Sequence, residues 1–193
     1  METVIVDFPA VGLTGRVVVV TGASSGIGAA TARGLHGAGT HPVLVARRAE
    51  RLEQLSAELG GAVAVPVDVT DPAAAQRVVT AALERHGRLD GLVNNAGVSL
   101  HGSLLDTDLD PYSEVLRLNV VALLGLMQAV VPAMRAAGFG RIVNVSSGTT
   151  TRFAPPGARG LCLQQGGGEH ARLQHPPRPA TPRTAHRAGG RRP

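Results

Sequence analysis

From residue 16 to about residue 147 the chain alternates short runs of β-branched and aliphatic residues with longer stretches whose apolar positions return every three or four residues. The runs RVVVVTG, PVLVARR, AVAVPVDV, LDGLVNNAG and GRIVNVSS predict five strands. Each is apolar almost throughout, as strands of a parallel sheet buried on both faces must be. The stretches between them predict helices. GIGAATARGLHGAG spaces Ile27, Ala30, Thr31 and Leu35 along one helical face and stops at Gly39. AERLEQLSAELGG ends at Gly60 and Gly61, and PAAAQRVVTAALERHG has Asp71 as its expected N-cap with Pro72 in the first helical position. DPYSEVLRLNVVALLGLMQAVVPAMRAAG reads as one long helix. Strand and helix in strict alternation give an α/β fold with a doubly wound parallel sheet, whose ligands bind at the carboxyl ends of the strands.

After Phe153 this grammar stops. The remainder holds 7 of the chain's 13 prolines and low-complexity pieces such as GGGEH, HPPRPATPRTAHR and AGGRRP. Such a composition buries too little apolar surface to offset chain entropy, so residues 157–193 are expected to be a disordered tail following a single α/β domain at 1–156. Charge divides at the same place: residues 1–151 carry 11 Arg against 13 acids, and residues 152–193 carry 8 Arg against one. The basic excess therefore resides in the tail, at +7 against −2 for the rest of the chain. A tail with no aromatic residue beyond Phe153 lacks a base-stacking platform, which makes nucleic acid an unlikely partner beyond weak, salt-sensitive binding. Aromatic content of 2% and no Trp leave the core to Val, Leu, Ile and Ala. The single cysteine, Cys162, excludes a disulfide framework and a four-cysteine zinc site, and points to a reducing cytoplasm. No apolar run is expected to reach the length of a membrane span, and METVIVDFPAVGLTGR lacks the basic flank and apolar run of a secretory signal.

Chemistry concentrates in TGASSGIG, Thr21 to Gly28, between the first strand and the first helix. Gly22, Gly26 and Gly28 allow a tight turn and close approach of a pyrophosphate, favoured by the free N–H groups and dipole of the helix start. Together with NNAG at Asn94 to Gly97, Asn119 in LRLNVVALLGL, and RIVNVSS ending at Ser147, this motif occurs in the order and spacing of the short-chain dehydrogenase/reductase family. The resemblance covers about residues 14–156. It implies a Rossmann-like NAD(P)-binding domain, incomplete on its C-terminal side, that transfers a hydride between a nicotinamide cofactor and a small carbonyl or alcohol substrate.

By that resemblance the cofactor-binding set is Gly22, Ser24, Ser25, Gly26, Ile27, Gly28, Arg47, Arg48, Asp68, Val69, Asn95, Ala96 and Gly97. The second strand ends at Ala46 with no carboxylate to repel a 2′-phosphate, and Arg47 and Arg48 follow, so NADP is favoured over NAD. Asp68 and Val69 resemble the adenine-contacting pair, although a strand-end Asp also suits a turn. Asn95, Ala96 and Gly97 resemble the turn against the adenine ribose. The implied catalytic residues are Ser147, with Ser146 as the alternative should the register slip by one, and Asn119, which supports a proton relay in the family or mends a helix irregularity.

The family's base is a tyrosine whose phenol is acidified by a lysine four residues on. The only tyrosine here is Tyr112, far upstream of Ser147, and there is no lysine, since all 19 basic residues are Arg. Arginine keeps its proton at any working pH and does not replace that ammonium. The stretch GARGLCLQQGGGEH, residues 157–170, stands where the pair belongs. Read from the second base of each codon, residues 161–171 permit Tyr-Ala-Ser-Ser-Lys-Ala-Ala-Val-Asn-Met-Leu, with Cys162 allowing only Ala or Val and Gln165 only Lys or Arg. A frameshift between about Phe153 and Leu161 is therefore the leading reading. The nucleotide sequence decides it.

The chain is thus expected to be an NADP-linked oxidoreductase crippled as written, or a non-catalytic NADP-binding protein. Without the family's remaining helices and strands, one face and one edge of the sheet should be left open, and the homo-oligomer of an intact member becomes doubtful. His101, Gly102, Leu104 and Thr149 to Phe153 are candidates for lining a substrate pocket. His36, His41 and His86 are expected to be solvated near helix ends.

Overall fold

A computed structural model describes residues 12–99 and 108–146. The expectations on Ser147, on His101, Gly102 and Leu104, and on everything from Thr149 onward lie outside the described residues. The elements run β1 (Val17–Thr21), α1 (Gly26–Gly37), β2 (His41–Ala46), α2 (Ala49–Glu58), β3 (Val63–Pro66), α3 (Ala74–His86), β4 (Gly91–Asn94), α4 (Leu109–Leu116), a π-helical segment (Arg117–Ala122), α5 (Leu123–Ala136) and β5 (Arg141–Asn144). All strand pairs are parallel, in the order β3-β2-β1-β4-β5. The order reverses between β1 and β4, where such sheets open a crevice at their carboxyl ends.

Side chains alternate across the sheet. Val17, Val19, Val43, Val45, Val65 and Leu92 face α3 and α5, while Val18, Val20, Leu44 and Val93 face α1 and α2. Each fully buried Val or Leu contributes about 1.5–3 kcal/mol of transfer free energy, so these two layers carry the fold. Helix α1 buries Gly28, Ala29 and Ala32 rather than the predicted Ile27 face, and Ile27 is 65% exposed. The reason is closeness. A Cβ on Gly28 would collide with the Gly22 carbonyl, so only small residues let this helix start against the turn.

The start of α3 also differs from expectation. The helix begins at Ala74, and Asp71 instead accepts from the Ala73 N–H at 2.8 Å, closing a turn one step before the helix. Tyr112 lies within α4. The expectation about apolar length is corrected too: the continuous helix Leu109–Ala136, 28 residues with a mean hydropathy of 1.8 in its best window, is long and apolar enough to cross a membrane by length and composition. Here it covers the sheet, with Leu126, Val130 and Met134 in the core.

At the amino ends of the strands Asp90, 1% exposed, accepts from the Val17 N–H and from Arg16 and Arg88. Burial pushes its carboxyl up, but the Arg88 fork, the Val17 amide and Arg16 outweigh that and hold it at about 2. Arg16 also stacks 3.8 Å from the centre of the Phe139 ring. Nearby, His41 and His86 are not simply solvated: their rings stack 4.9 Å apart, and burial, then the charge of His41 and Arg85, pushes His86 below the usual imidazole range. At the other end of the sheet order, all four residues of β5 are exposed.

Candidate cofactor and catalytic site

Three strand ends and one helix start meet at the switch point. The hydroxyl of Thr21, the last residue of β1, accepts from the Asn95 and Ala96 N–H groups at 2.9 and 3.0 Å and donates to the Val93 carbonyl at 3.3 Å. Its own carbonyl accepts from the Asn95 amide at 3.0 Å. One buried hydroxyl thus fastens the turn after β4 to the end of β1. The strand pattern placed Thr21 but gave no sign of this; a polar hydroxyl ending an all-valine run was the available signal.

The glycine turn is closed by three different needs. Gly22 has φ +68°, and a Cβ there would press on the Asn95 amide at 2.8 Å and the Ala96 backbone. Gly28 must let α1 approach the Gly22 carbonyl. Gly26, at φ +54°, has nothing within 4 Å of where a Cβ would stand, so its side of the cradle is open. The Ser25 hydroxyl makes no capping bond to α1, and no acidic residue occupies the first turn. The N–H groups and positive dipole end of α1 therefore face that open space without an internal anion, which suits a diphosphate. Ala23 ties the turn to β2 by donating to the Val45 carbonyl at 3.2 Å.

The predicted cofactor residues converge on this rim. Arg48 donates from Nε and Nη2 to the Ser24 hydroxyl at 3.1 and 2.8 Å and from Nη2 to the Ser25 hydroxyl at 2.7 Å. Arg47 points the other way, 3.7 Å from Asp68, and is 70% exposed. Asp68 accepts from the Thr70 N–H and hydroxyl at 2.9 and 2.8 Å, so the turn chemistry weighed for it is present. The Thr70 amide, partly opposed by burial and aided by the Thr70 hydroxyl and Arg47, lowers its pKa. Val69 packs against the core beneath. Ile27 stands exposed at the mouth of the turn, and Gly97 brings the chain past Asn119, whose Oδ1 would lie 3.2 Å from a Cβ on that glycine.

Asn119 sits in the π-helical segment. Its Oδ1 accepts from the Val98 N–H at 3.0 Å and its Nδ2 donates to the Val98 carbonyl at 2.7 Å. The amide therefore pins the segment after NNAG to the long helix, at a widened helical turn of the kind that often marks a functional site. Asn144, which the sequence reading passed over, accepts at 2.9 Å from Asn94 across β4 and β5. Its place beside Asn94 follows from strand register, which no local pattern reveals. Ser147 lies outside the described residues.

A parallel sheet with this strand order and an open glycine cradle at its switch point defines a dinucleotide-binding α/β protein. The sequence matches the short chain dehydrogenase family over residues 16–157, and the chain belongs to that family. It is 39% identical to the oxidoreductase UcpA of Escherichia coli over 155 residues, 78% of this chain and 59% of that protein. It is likewise 39% identical over 141 residues to the bovine dehydrogenase/reductase SDR family member 7B, covering 68% of this chain and 43% of that one. The crystal structure of the KRED1-Pglu enzyme superimposes with a TM-score of 0.73 at 31% identity, over 78% of this chain and 63% of its own. The chain thus spans about half the length of the curated relatives it matches. Family membership implies a nicotinamide dinucleotide and a small-molecule substrate.

Proposed function

We propose that this chain is the cofactor-binding portion of an NADP(H)-linked short-chain oxidoreductase of the cytoplasm, which interconverts a carbonyl and an alcohol when complete and binds cofactor without turnover as written. The observation that carries the reading is the Arg48 fork. It is held by two serine hydroxyls at the junction of the glycine turn and the end of β2, with no carboxylate on that strand end. A guanidinium held there through Nε and Nη2 keeps its Nη1 donors for a 2′-phosphate, while Arg47 reinforces the positive field.

The bound nicotinamide would supply or accept the hydride. The chain's own residues do the rest of the work: Gly26 and the α1 start take the diphosphate, Asn95 and Gly97 shape the ribose side, and Asp68 and Val69 border the adenine. Ser147 would hold the substrate oxygen, and Asn119, in the π-helical segment, would support the proton path. The absence of any lysine and of a tyrosine after Ser147 supports the silent form of the chain, and the permitted Tyr-Ala-Ser-Ser-Lys supports a shifted reading frame as its origin.

Fluorescence titration of the chain with NADPH and NADH tests the reading. Arg48→Ala is expected to weaken NADPH by about ten- to a hundred-fold, the worth of a charge-assisted hydrogen bond at 1.5–3 kcal/mol, and to leave NADH nearly unchanged. Equal losses for both, or carbonyl reduction by the chain as written, would overturn it.

A further inference from the structure

We infer that the stacked rings of His41 and His86 form an acid-opened clasp. Neutral, they hold the last turn of α3 against the start of β2; protonated at mildly acidic pH, His86 leaves the stack and that turn opens.

The pair stands at the end of the sheet opposite the glycine cradle. His41 is the first residue of β2 and His86 the last of α3, and their rings lie 4.9 Å apart with 19° between the planes. Two neutral imidazoles stack well at that separation, whereas two imidazolium ions repel. The Nε2 of His86 is buried and has no hydrogen-bond partner among the described residues. A neutral ring can turn a lone pair to that place. A protonated ring carries a hydrogen on both nitrogens, and the one on Nε2 would be a buried charged donor with no acceptor.

The neighbouring charges give no relief. Burial first, then the charges of His41 on β2 and Arg85 on α3, hold His86 below the usual imidazole range. From the start of β1, the Arg16 carbonyl accepts the His41 N–H at 2.7 Å, but the Arg16 guanidinium turns to Asp90. Asp90, at the start of β4, is taken up by Arg16, Arg88 and the Val17 amide. Glu84 is two residues from His86 and so on another side of α3, where it borders the groove toward β3 with Thr80 and Ala81. His36 ends α1, which packs on the other face of the sheet.

The hinge lies next in the chain. Gly87 follows His86 at φ +69°, and its N–H closes the last turn of α3 on the Leu83 carbonyl at 2.8 Å. The turn can therefore open there while Val78, Val79 and Ala82 keep the rest of α3 in the core. Because the folded value of His86 is the lower one, the clasp contributes fully above the ordinary imidazole value of 6.5 and is lost as pH falls below it. At pH 5.5, one unit below that value, opening is favoured by at most about ten-fold over pH 7.5.

Hydrogen exchange on the full chain at pH 7.5 and 5.5 tests the clasp, read as protection so that the intrinsic pH dependence of exchange divides out. The Gly87 amide is expected to lose about five- to ten-fold of its protection at pH 5.5, and the amide of Val19, in the core strand β1, none. Asp90, held at about 2, does not titrate in this range. His86→Phe keeps a ring against His41 and removes the proton, so protection at Gly87 should become equal at the two pH values. His41→Phe, at an exposed position, removes one of the two opposing charges and should shrink the loss; it carries the test if His86→Phe does not fold. The inference is overturned by equal protection of Gly87 at both pH values in the unsubstituted chain. It is equally overturned by a loss that His86→Phe, or His41→Phe in its place, leaves intact, or by the same loss at Val19, which would be acid unfolding of the whole sheet.

Discussion

Replacing Asp90 by Asn keeps the shape of the side chain and removes the charge that Arg16, Arg88 and the Val17 amide share at the amino end of the sheet. The carboxyl lies at about 2 in the folded chain against an ordinary 3.8, a difference in proton affinity worth about 2 kcal/mol of stability. Because the folded value is the lower one, this contribution is fully present above the ordinary carboxyl pKa and is lost as pH falls through about 2. Roughly half of it should remain at pH 3. Urea unfolding of both forms, followed by far-UV circular dichroism, gives the difference directly: Asn should cost about 2 kcal/mol at pH 7 and about half that at pH 3. Other carboxylates cancel in the comparison. A penalty equal at both pH values, or none at pH 7, would refute the claim that the ionised carboxylate clips β1 to β4.

Two further substitutions test the site. Gly28→Ala places a methyl against the Gly22 carbonyl and 2.6 Å from the Asn95 amide, and backbone cannot swing aside. It should destabilise the chain by about 1–3 kcal/mol and weaken NADPH binding at least in step, as titration calorimetry and melting would show. Asn119→Ala removes both bonds to Val98 and should cost about 1–2 kcal/mol and speed exchange of the Val98 amide, whereas Asn119→Asp keeps the acceptor for that amide but sets a carboxylate against the Val98 carbonyl. Equal Val98 exchange in wild type and Asn119→Ala would remove the pinning role.

How much was legible depended on how local the signal was. Five strands, the glycine stops and the cradle TGASSGIG could be read because each follows from periodicity or from backbone freedom at one position. The face of α1 could not: Ile27 fits a helical apolar spacing, yet the face that packs is set by how near Gly28 must come to Gly22. Asp71 was given the cap of α3 because the residue type suits it, and the chain used it one turn earlier. Arg47 and Arg48 were singled out as a pair, but only the fold separates them, seating Arg48 on Ser24 and Ser25 and turning Arg47 toward Asp68.

By itself the sequence determined the parallel α/β class, the family, the place of the dinucleotide cradle and the lack of a Tyr-Lys pair, since these depend on residue type and order along the chain. The tertiary structure alone decided that Thr21 joins the NNAG turn to β1, that Asn119 clasps Val98, that Asn144 meets Asn94, and that all four residues of β5 are exposed. Those facts depend on which strands become neighbours, and neighbours such as Thr21 and Asn95, 74 residues apart, are brought together only by burial of the sheet between its helices.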